Sequence, residues 1–228
     1  MLLGRMIDLL QPFLASPALS PEEAAVLTDT QLQQLSTYLD LLLRWNARIN
    51  LTAVREPEAI VTRHFGESLF AAQHLFRPAD LAAVQPLLAH PRVFDVGSGA
   101  GFPGLPIKIW APHVELTLIE SNHKKVTFLR EVIRGLALTS AEVFSLRAEN
   151  FHGQAEVVTL RAVERFERSL PVAARLVARG GRLALLIGEG QAAHARKLTP
   201  NFRWQDPDPI PLSSKRVLLM GIRNSSAA

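Results

Sequence analysis

Between Val93 and Glu120 the chain reads VFDVGSGAGFPGLPIKIWAPHVELTLIE, and few folds can accommodate that stretch. Val93 to Val96 is a short apolar run broken by one carboxylate, Asp95, and closed by glycine. That is the pattern of a strand buried on both faces whose last residues reach a ligand crevice. Gly97, Gly99, Gly101 and Gly104 then remove side chains where the backbone must turn sharply, and they let a ligand approach it closely. A short helix comes next, and a second buried strand from Glu115 to Ile119 ends in Glu120. An acid there is placed to accept both hydroxyl protons of a ribose, so the spacing predicts a nucleoside ligand.

Two kinds of nucleoside compete for this loop. Gly99, Gly101 and Gly104 fit G-x-G-x-x-G, and Glu120 lies beyond them at about the distance expected of a dinucleotide fold. Against that reading stand Asp95, inside the strand before the glycines, and Pro103 and Pro106, where a pyrophosphate would want free N–H groups. A carboxylate at that point repels a pyrophosphate but suits a ligand carrying an ammonium and a sulfonium. The order D-x-G-x-G-x-G from Asp95 to Gly101 resembles the first motif of the Rossmann-like S-adenosylmethionine methyltransferases.

After Val93 short apolar runs alternate with helical periods, the signature of an α/β doubly wound parallel sheet. Strands are predicted at 93–97, 115–120, 141–146, 157–161 and 182–188. A helix capped by Ser121 is predicted to run to Leu138, a short one near 191–198, and the run Val217 to Ile222 reads as an edge strand. A proline-rich stretch joins these last two, and Ser225 to Ala228 reads as a frayed tail. Before the sheet the periodicity is helical: Leu2 to Leu14 until Pro17, a capped start at Ser20-Pro21-Glu22-Glu23, Thr28 to Asn46, and Glu56-Pro57 onward until Pro78. The fold expected is a methyltransferase-like sheet over 79–228 with a helical N-terminal cap over 1–78.

At 228 residues and 48% hydrophobic content the chain can fill one sizeable core. It has no cysteine, and its seven histidines show no metal-ligand spacing, so no metal is expected. No apolar run approaches a membrane span and no leader pattern opens the sequence, which reads as a cytoplasmic protein. The net charge of +4 and pI near 9.9 permit a polyanionic partner, and ordinary surface lysines and arginines explain them equally well.

Polar groups cluster beside the apolar stripes of the cap: Trp45-Asn46, Asn50-Leu51-Thr52, Val54-Arg55 and Arg63-His64. Singly each has a plain structural explanation. Arg63 and Glu67 are spaced for a surface i,i+4 pair, His64 suits a half-buried position, and Asn50 suits a turn. Together with DVGSGAGFPGLPI (Asp95 to Ile107), KKxxFL (Lys124 to Leu129) and LRA (Leu160 to Ala162), however, WNxxxNLT, VRE and RHxxES form a joint pattern. It resembles the GidB, or RsmG, family of bacterial methyltransferases, which transfer a methyl group from S-adenosylmethionine to N7 of a guanosine in 16S ribosomal RNA.

The resemblance spans about Trp45 to Gly190. It implies cofactor contacts at Gly97, Phe102, Ala148, Glu149 and Arg161, beside Asp95, Gly99, Gly101 and Glu120 from the loop itself. Arg161 could neutralise the ligand carboxylate, stack on the target base or brace the acids, and a cofactor-side role fits best. Asn50, Arg55, Arg63, His64, Lys124 and Lys125 are the candidate RNA contacts, on a protein expected to act as a monomer. One departure stands out: the family's LKG element reads Leu186-Ile187-Gly188 here. The remaining alternatives are an NAD-dependent oxidoreductase, for which no hydride-transfer constellation is visible, and a ribosome-associated S-adenosylmethionine-binding module that has lost transfer.

Overall fold

The computed structural model describes residues 2–15, 26–76, 90–162 and 165–225. Helices α1 (Leu2–Leu14) and α2 (Asp29–Asn46) precede one long helical run made of α3 (Pro57–Ile60), a π-helical stretch (Val61–Gly66) and α4 (Glu67–Leu75). The sheet region continues as β1 (Arg92–Val96), α5 (Gly104–Trp110), β2 (Glu115–Ile119), α6 (His123–Gly135), β3 (Ala141–Phe144) and β4 (Ala155–Arg161). Then come α7 (Phe166–Arg175), β5 (Val177–Gly188), α8 (Ala192–Leu198), β6 (Phe202–Trp204), β7 (Asp208–Pro209) and β8 (Arg216–Arg223). Pro17, the expected helix start at Ser20, the boundary at residue 78 and the last three residues of the expected tail lie outside the described residues.

The strands form one sheet in the order β3-β2-β1-β4-β5-β8-β6, with β7 paired to β8. The first five run parallel, and β8 is antiparallel to β5. From β1 the chain winds outward through β2 to β3, then returns to β4 on the other side and winds away. A doubly wound sheet takes its ligand where that reversal occurs, at the carboxyl ends of β1 and β4. Asp95 sits at this point, in register with Leu118 of β2 and Thr159 of β4.

Helix α2 fixes the position of the loop after β1. Thr28 and Gln31 form the expected capping box, and the Gln31 amide also donates to the carbonyls of Ile109 and Trp110 at the end of α5. Further along the same helix, the Tyr38 hydroxyl donates to the carbonyl of Ala100, inside the glycine loop. The apolar stripe of α2 packs in the same core as α4, α5 and β2, so the cap and the sheet share one hydrophobic interior. Phe13 of α1 lies against the π-helical stretch, where a Cβ at Gly66 would come 2.5 Å from its ring.

The structure departs from the sequence expectations in four places. β8 is no edge strand: it lies between β5 and the pair β6 and β7, and Val217 to Met220 are all buried. An unbroken apolar run is what a strand covered on both faces requires, whereas an edge strand would alternate. Its covering strands were hidden in the proline-rich stretch. The cap of α6 is Asn122 rather than Ser121, accepting from the backbone N–H of Lys124 and Lys125 at 3.0 and 3.2 Å, and the helix closes at Gly135. β5 begins at Val177, and α7 had no clear sequence signal, since Pro171 lies inside it.

Candidate active site

A cavity of about 470 Å³ opens at the carboxyl ends of β1, β4 and β5. Its wall brings together Gly97 to Ala100 and Phe102 from the glycine loop, Arg161 and Ala162 from the end of β4, and Leu186 to Gly188 from the end of β5. Leu51 to Val54, Arg63 and His64 close it from the cap, with Lys125 and Arg216. Of the expected site residues, Gly97, Gly99, Phe102, Arg63, His64, Lys125 and Arg161 therefore share one chamber. Asn50, Arg55, Lys124 and Glu149 are solvent-exposed and do not line it.

Asp95 acts behind the wall. It is 1% exposed, its Oδ1 accepts from the Thr159 hydroxyl at 2.8 Å, and its Oδ2 accepts from the Gly104 N–H at 3.2 Å. Burial pushes its carboxyl up to about 6, although the hydrogen bonds from Thr159, Gly104 and Ser98 and the charge of Arg161 pull the other way. The Gly104 N–H that would greet a pyrophosphate at the start of α5 is thus already taken by a carboxylate. Gly104 itself is a packing requirement: a Cβ there would lie 2.8 Å from Asp95 Oδ2 and 2.6 Å from Leu118. Gly99 differs: its φ is +57°, and a Cβ there would meet only the Gly97 carbonyl oxygen, at an ordinary 3.8 Å.

Glu120 clasps the same loop. Its Oε2 accepts from the Gly99 N–H at 2.9 Å and its Oε1 from the Asn122 N–H at 2.8 Å. Each oxygen keeps a second lone pair, so the acid can hold the turn and still accept ribose hydroxyls. Ala148 and Glu149 belong to a short 3-10 turn after β3.

Opposite charges meet on the other flank. Glu67, 2% exposed, binds Arg161 Nη2 at 2.9 Å through Oε2 and Arg216 Nη2 through Oε1. It is not the surface partner of Arg63 that its spacing suggested: the π-helical stretch between α3 and α4 turns it inward. Burial pushes the Glu67 carboxyl up and the Arg161 guanidinium down, each partly offset by the attraction between them. Arg161 Nη2 also donates to the carbonyl of Arg63 at 2.6 Å and meets His64 Nδ1 at 3.1 Å. Its Nη1 is buried without a hydrogen-bond partner, a donor suited to a ligand carboxylate.

The cap side is equally tied down. Asn46 Oδ1 accepts from the backbone N–H of Leu51 and Thr52, both at 3.0 Å, which fixes the loop carrying Thr52. His64 Nε2 lies 2.7 Å from the Thr52 hydroxyl, and its ring stacks on Phe102 at 4.8 Å. Phe102 also stacks on Tyr38 at 5.3 Å. Desolvation, then the charges of Arg161, Arg63 and Arg216, bring His64 down to about 3. Both ring nitrogens of His64 thus lie within hydrogen-bonding distance of protein groups. Tyr38, Thr52, Glu67, Thr159 and Arg216 were missed as site residues. Only Thr52 and Glu67 stood inside one of the sequence motifs.

A glycine turn after β1, an acid closing β2 and an antiparallel β8 inserted beside β5 define a Rossmann-like methyltransferase. Solved structures share this fold. A magnesium protoporphyrin IX methyltransferase from Synechocystis PCC 6803, with S-adenosylhomocysteine bound, matches at a TM-score of 0.60 and 17% identity over 86% of this chain and 100% of that one. A ribosomal protein methylase from Lactobacillus delbrueckii subsp. bulgaricus matches at 0.57 and 9% identity over 72% and 79%. The profile of the GidB family, rRNA small subunit methyltransferase G, matches residues 31–207, and the chain belongs to that family. Relatives bearing that name include one from Xanthomonas oryzae pv. oryzae, 39% identical over 75% of this chain and 80% of its own length. Another, from Stenotrophomonas maltophilia, is 38% identical over 78% of each. The chain is thus an S-adenosylmethionine-dependent methyltransferase.

Proposed function

We propose that this enzyme transfers a methyl group from S-adenosylmethionine to N7 of a guanosine in 16S ribosomal RNA. The observation that carries the choice of atom is the lack of a carboxylate or a free imidazole at the cavity wall. Among the described residues lining the cavity there is no carboxylate, and the single histidine, His64, has both nitrogens bonded. Methylation of an exocyclic amine or a ribose hydroxyl must dispose of a proton; N7 of guanine carries a lone pair and no proton. That pair forms the new carbon–nitrogen bond as the carbon–sulfur bond breaks, its electrons pass to sulfur, and the purine ring takes up the positive charge. The cofactor supplies an activated methyl on a sulfonium.

The protein's part is placement. Gly97 and Gly99 leave the turn open, Glu120 offers lone pairs to the ribose, Ala148 and Glu149 flank the adenine side, and Arg161 Nη1 meets the carboxylate. Asp95 adds negative charge next to the ammonium from behind the loop. Arg63 and Lys125 at the cavity, with exposed Arg55, Lys124 and Asn50, hold the RNA backbone. The N-terminal helices, with the first turn of α6, then present RNA and the sheet presents cofactor, in a cytoplasmic monomer. The test is transfer of labelled methyl to naked 16S RNA and to whole small subunits. The label is expected at a nucleotide where mild reduction and aniline cleave the chain; labelled RNA that resists cleavage would place the methyl elsewhere.

A further inference from the structure

The hydrogen-bond valences of the Thr52 hydroxyl can be counted one by one. Arg161 Nη2 shares its two hydrogens among the Arg63 carbonyl at 2.6 Å, Glu67 Oε2 at 2.9 Å and His64 Nδ1 at 3.1 Å, and it has no lone pair; a proton on Nδ1 would find no acceptor there, so the tautomer that fits leaves Nδ1 bare. Nε2 then carries the ring proton and donates it to Thr52 Oγ1 at 2.7 Å. The backbone N–H of Val54 donates to the same oxygen at 3.1 Å. A hydroxyl oxygen has two lone pairs, and both are now filled. What remains is the O–H itself, on a half-buried residue of the cavity wall whose hydroxyl contacts among the described residues are these two donors. The two bonds from Asn46 hold the backbone that carries it.

Resting on the N7-guanine reading, we propose that the Thr52 O–H donates to O6 of the target guanine, which makes Thr52 the residue that distinguishes guanine from adenine. On the edge of the purine that presents N7, guanine places the O6 acceptor beside it and adenine places an amine donor. A donor that cannot reverse accepts the first and opposes the second. The chain of bonds from Arg161 through His64 is what prevents reversal, because a free threonine would rotate to suit either base. Position agrees. In the proposed placement Glu120 and Ala148 hold the nucleoside of the cofactor on the β2 and β3 side, while Thr52 shares its wall with Arg161 and with Leu186 to Gly188 on the β4 and β5 side. A neutral donor also suits the chemistry, since the ring becomes cationic as it is methylated and a lysine at O6 would be repelled by the product.

The experiment is a double-mutant cycle between protein and base. Wild type, Thr52→Val and Thr52→Ser are compared on small-subunit RNA carrying guanine, 2-aminopurine (which lacks O6) or inosine (which keeps it) at the methylated nucleotide. The wild type is expected to lose on the order of 10- to 100-fold in kcat/KM on 2-aminopurine and little on inosine. Thr52→Val should lose a similar factor on guanine and nothing further on 2-aminopurine, while Thr52→Ser should restore the preference. Equal losses for Thr52→Val on guanine and 2-aminopurine would reduce Thr52 to a structural residue. Should Thr52→Val fail to fold, a wild type that uses guanine and 2-aminopurine equally would overturn the assignment by itself. A wild type that methylates none of the three at N7 would instead overturn the functional reading beneath it.

Discussion

At the scale of single residues, two buried ionisable groups, His64 and Asp95, respond to pH in different ways. His64 titrates near 3, so its ring stays neutral through the physiological range. Under single-turnover conditions with both substrates saturating, the transfer rate should vary little between about pH 6.5 and 8.5, the span in which an ordinary histidine base would act. NMR of the His64 ring should show no titration there; a midpoint in that window would contradict its contacts with Arg161 and Thr52. Asp95 behaves oppositely. Its folded value of about 6 lies above the ordinary 3.8, so below about pH 4 it is protonated in both folded and unfolded chains and its burial costs little. As pH rises through 6 the folded protein must bury a charge, and stability falls. Asp95→Asn can still accept from Gly104 and donate to Thr159, so without ligand it should raise the unfolding free energy at pH 7.5 by up to about 3 kcal/mol. Denaturant titrations should show that gain fading toward pH 4, while calorimetry shows weaker S-adenosylmethionine binding. A variant less stable than wild type at pH 7.5 would mean that the carboxylate is held by more than its hydrogen bonds.

At the scale of elements, the π-helical stretch Val61–Gly66 sets the site. A widened turn shifts every later residue of the helix by one position, so that Arg63 and His64 face the cavity while Glu67 turns into the core. Deleting Thr62 should restore a regular helix with unchanged far-ultraviolet circular dichroism and yet lower methyl transfer by more than about 100-fold, through misplaced His64 and Glu67. Retained activity would show that the wide turn is incidental. This element also marks the limit of what the sequence reveals. Asp95, the glycines and Glu120 were legible because one strand, one turn and the next strand carry them in fixed order. Helical periodicity located α2 but treated its stripe as uniform, so Tyr38, whose hydroxyl reaches Ala100, passed as core. The i,i+4 rule placed Glu67 next to Arg63 because it assumes an α-helix, and a π turn breaks that assumption. Arg216 was illegible for another reason: it meets Glu67 only because β8 inserts beside β5, and the run was read as an edge strand.

At the scale of the whole molecule, the net charge of +4 matters through its placement. Arg63 and Lys125 line the cavity and Arg55 and Lys124 are exposed, so each should contribute a phosphate contact in RNA binding. Replacing any one by alanine should flatten the dependence of log affinity on log salt by about one, without altering cofactor affinity. Filter binding across salt concentrations checks this, and an unchanged slope in all four variants would return them to ordinary surface charges. Arg161 and Arg216 are different, because both are held by a single shared carboxylate, that of Glu67. Loss of Glu67 leaves buried Arg161 and half-buried Arg216 without their carboxylate, and loss of either arginine removes one of the acid's two partners, so each single step away from the trio costs stability. In a drifting lineage these three codons are therefore locked together. The fold can exchange its surface and repack its core one substitution at a time, but it can leave this arrangement only by changing several residues at once, and the descendants of this chain should diverge around it.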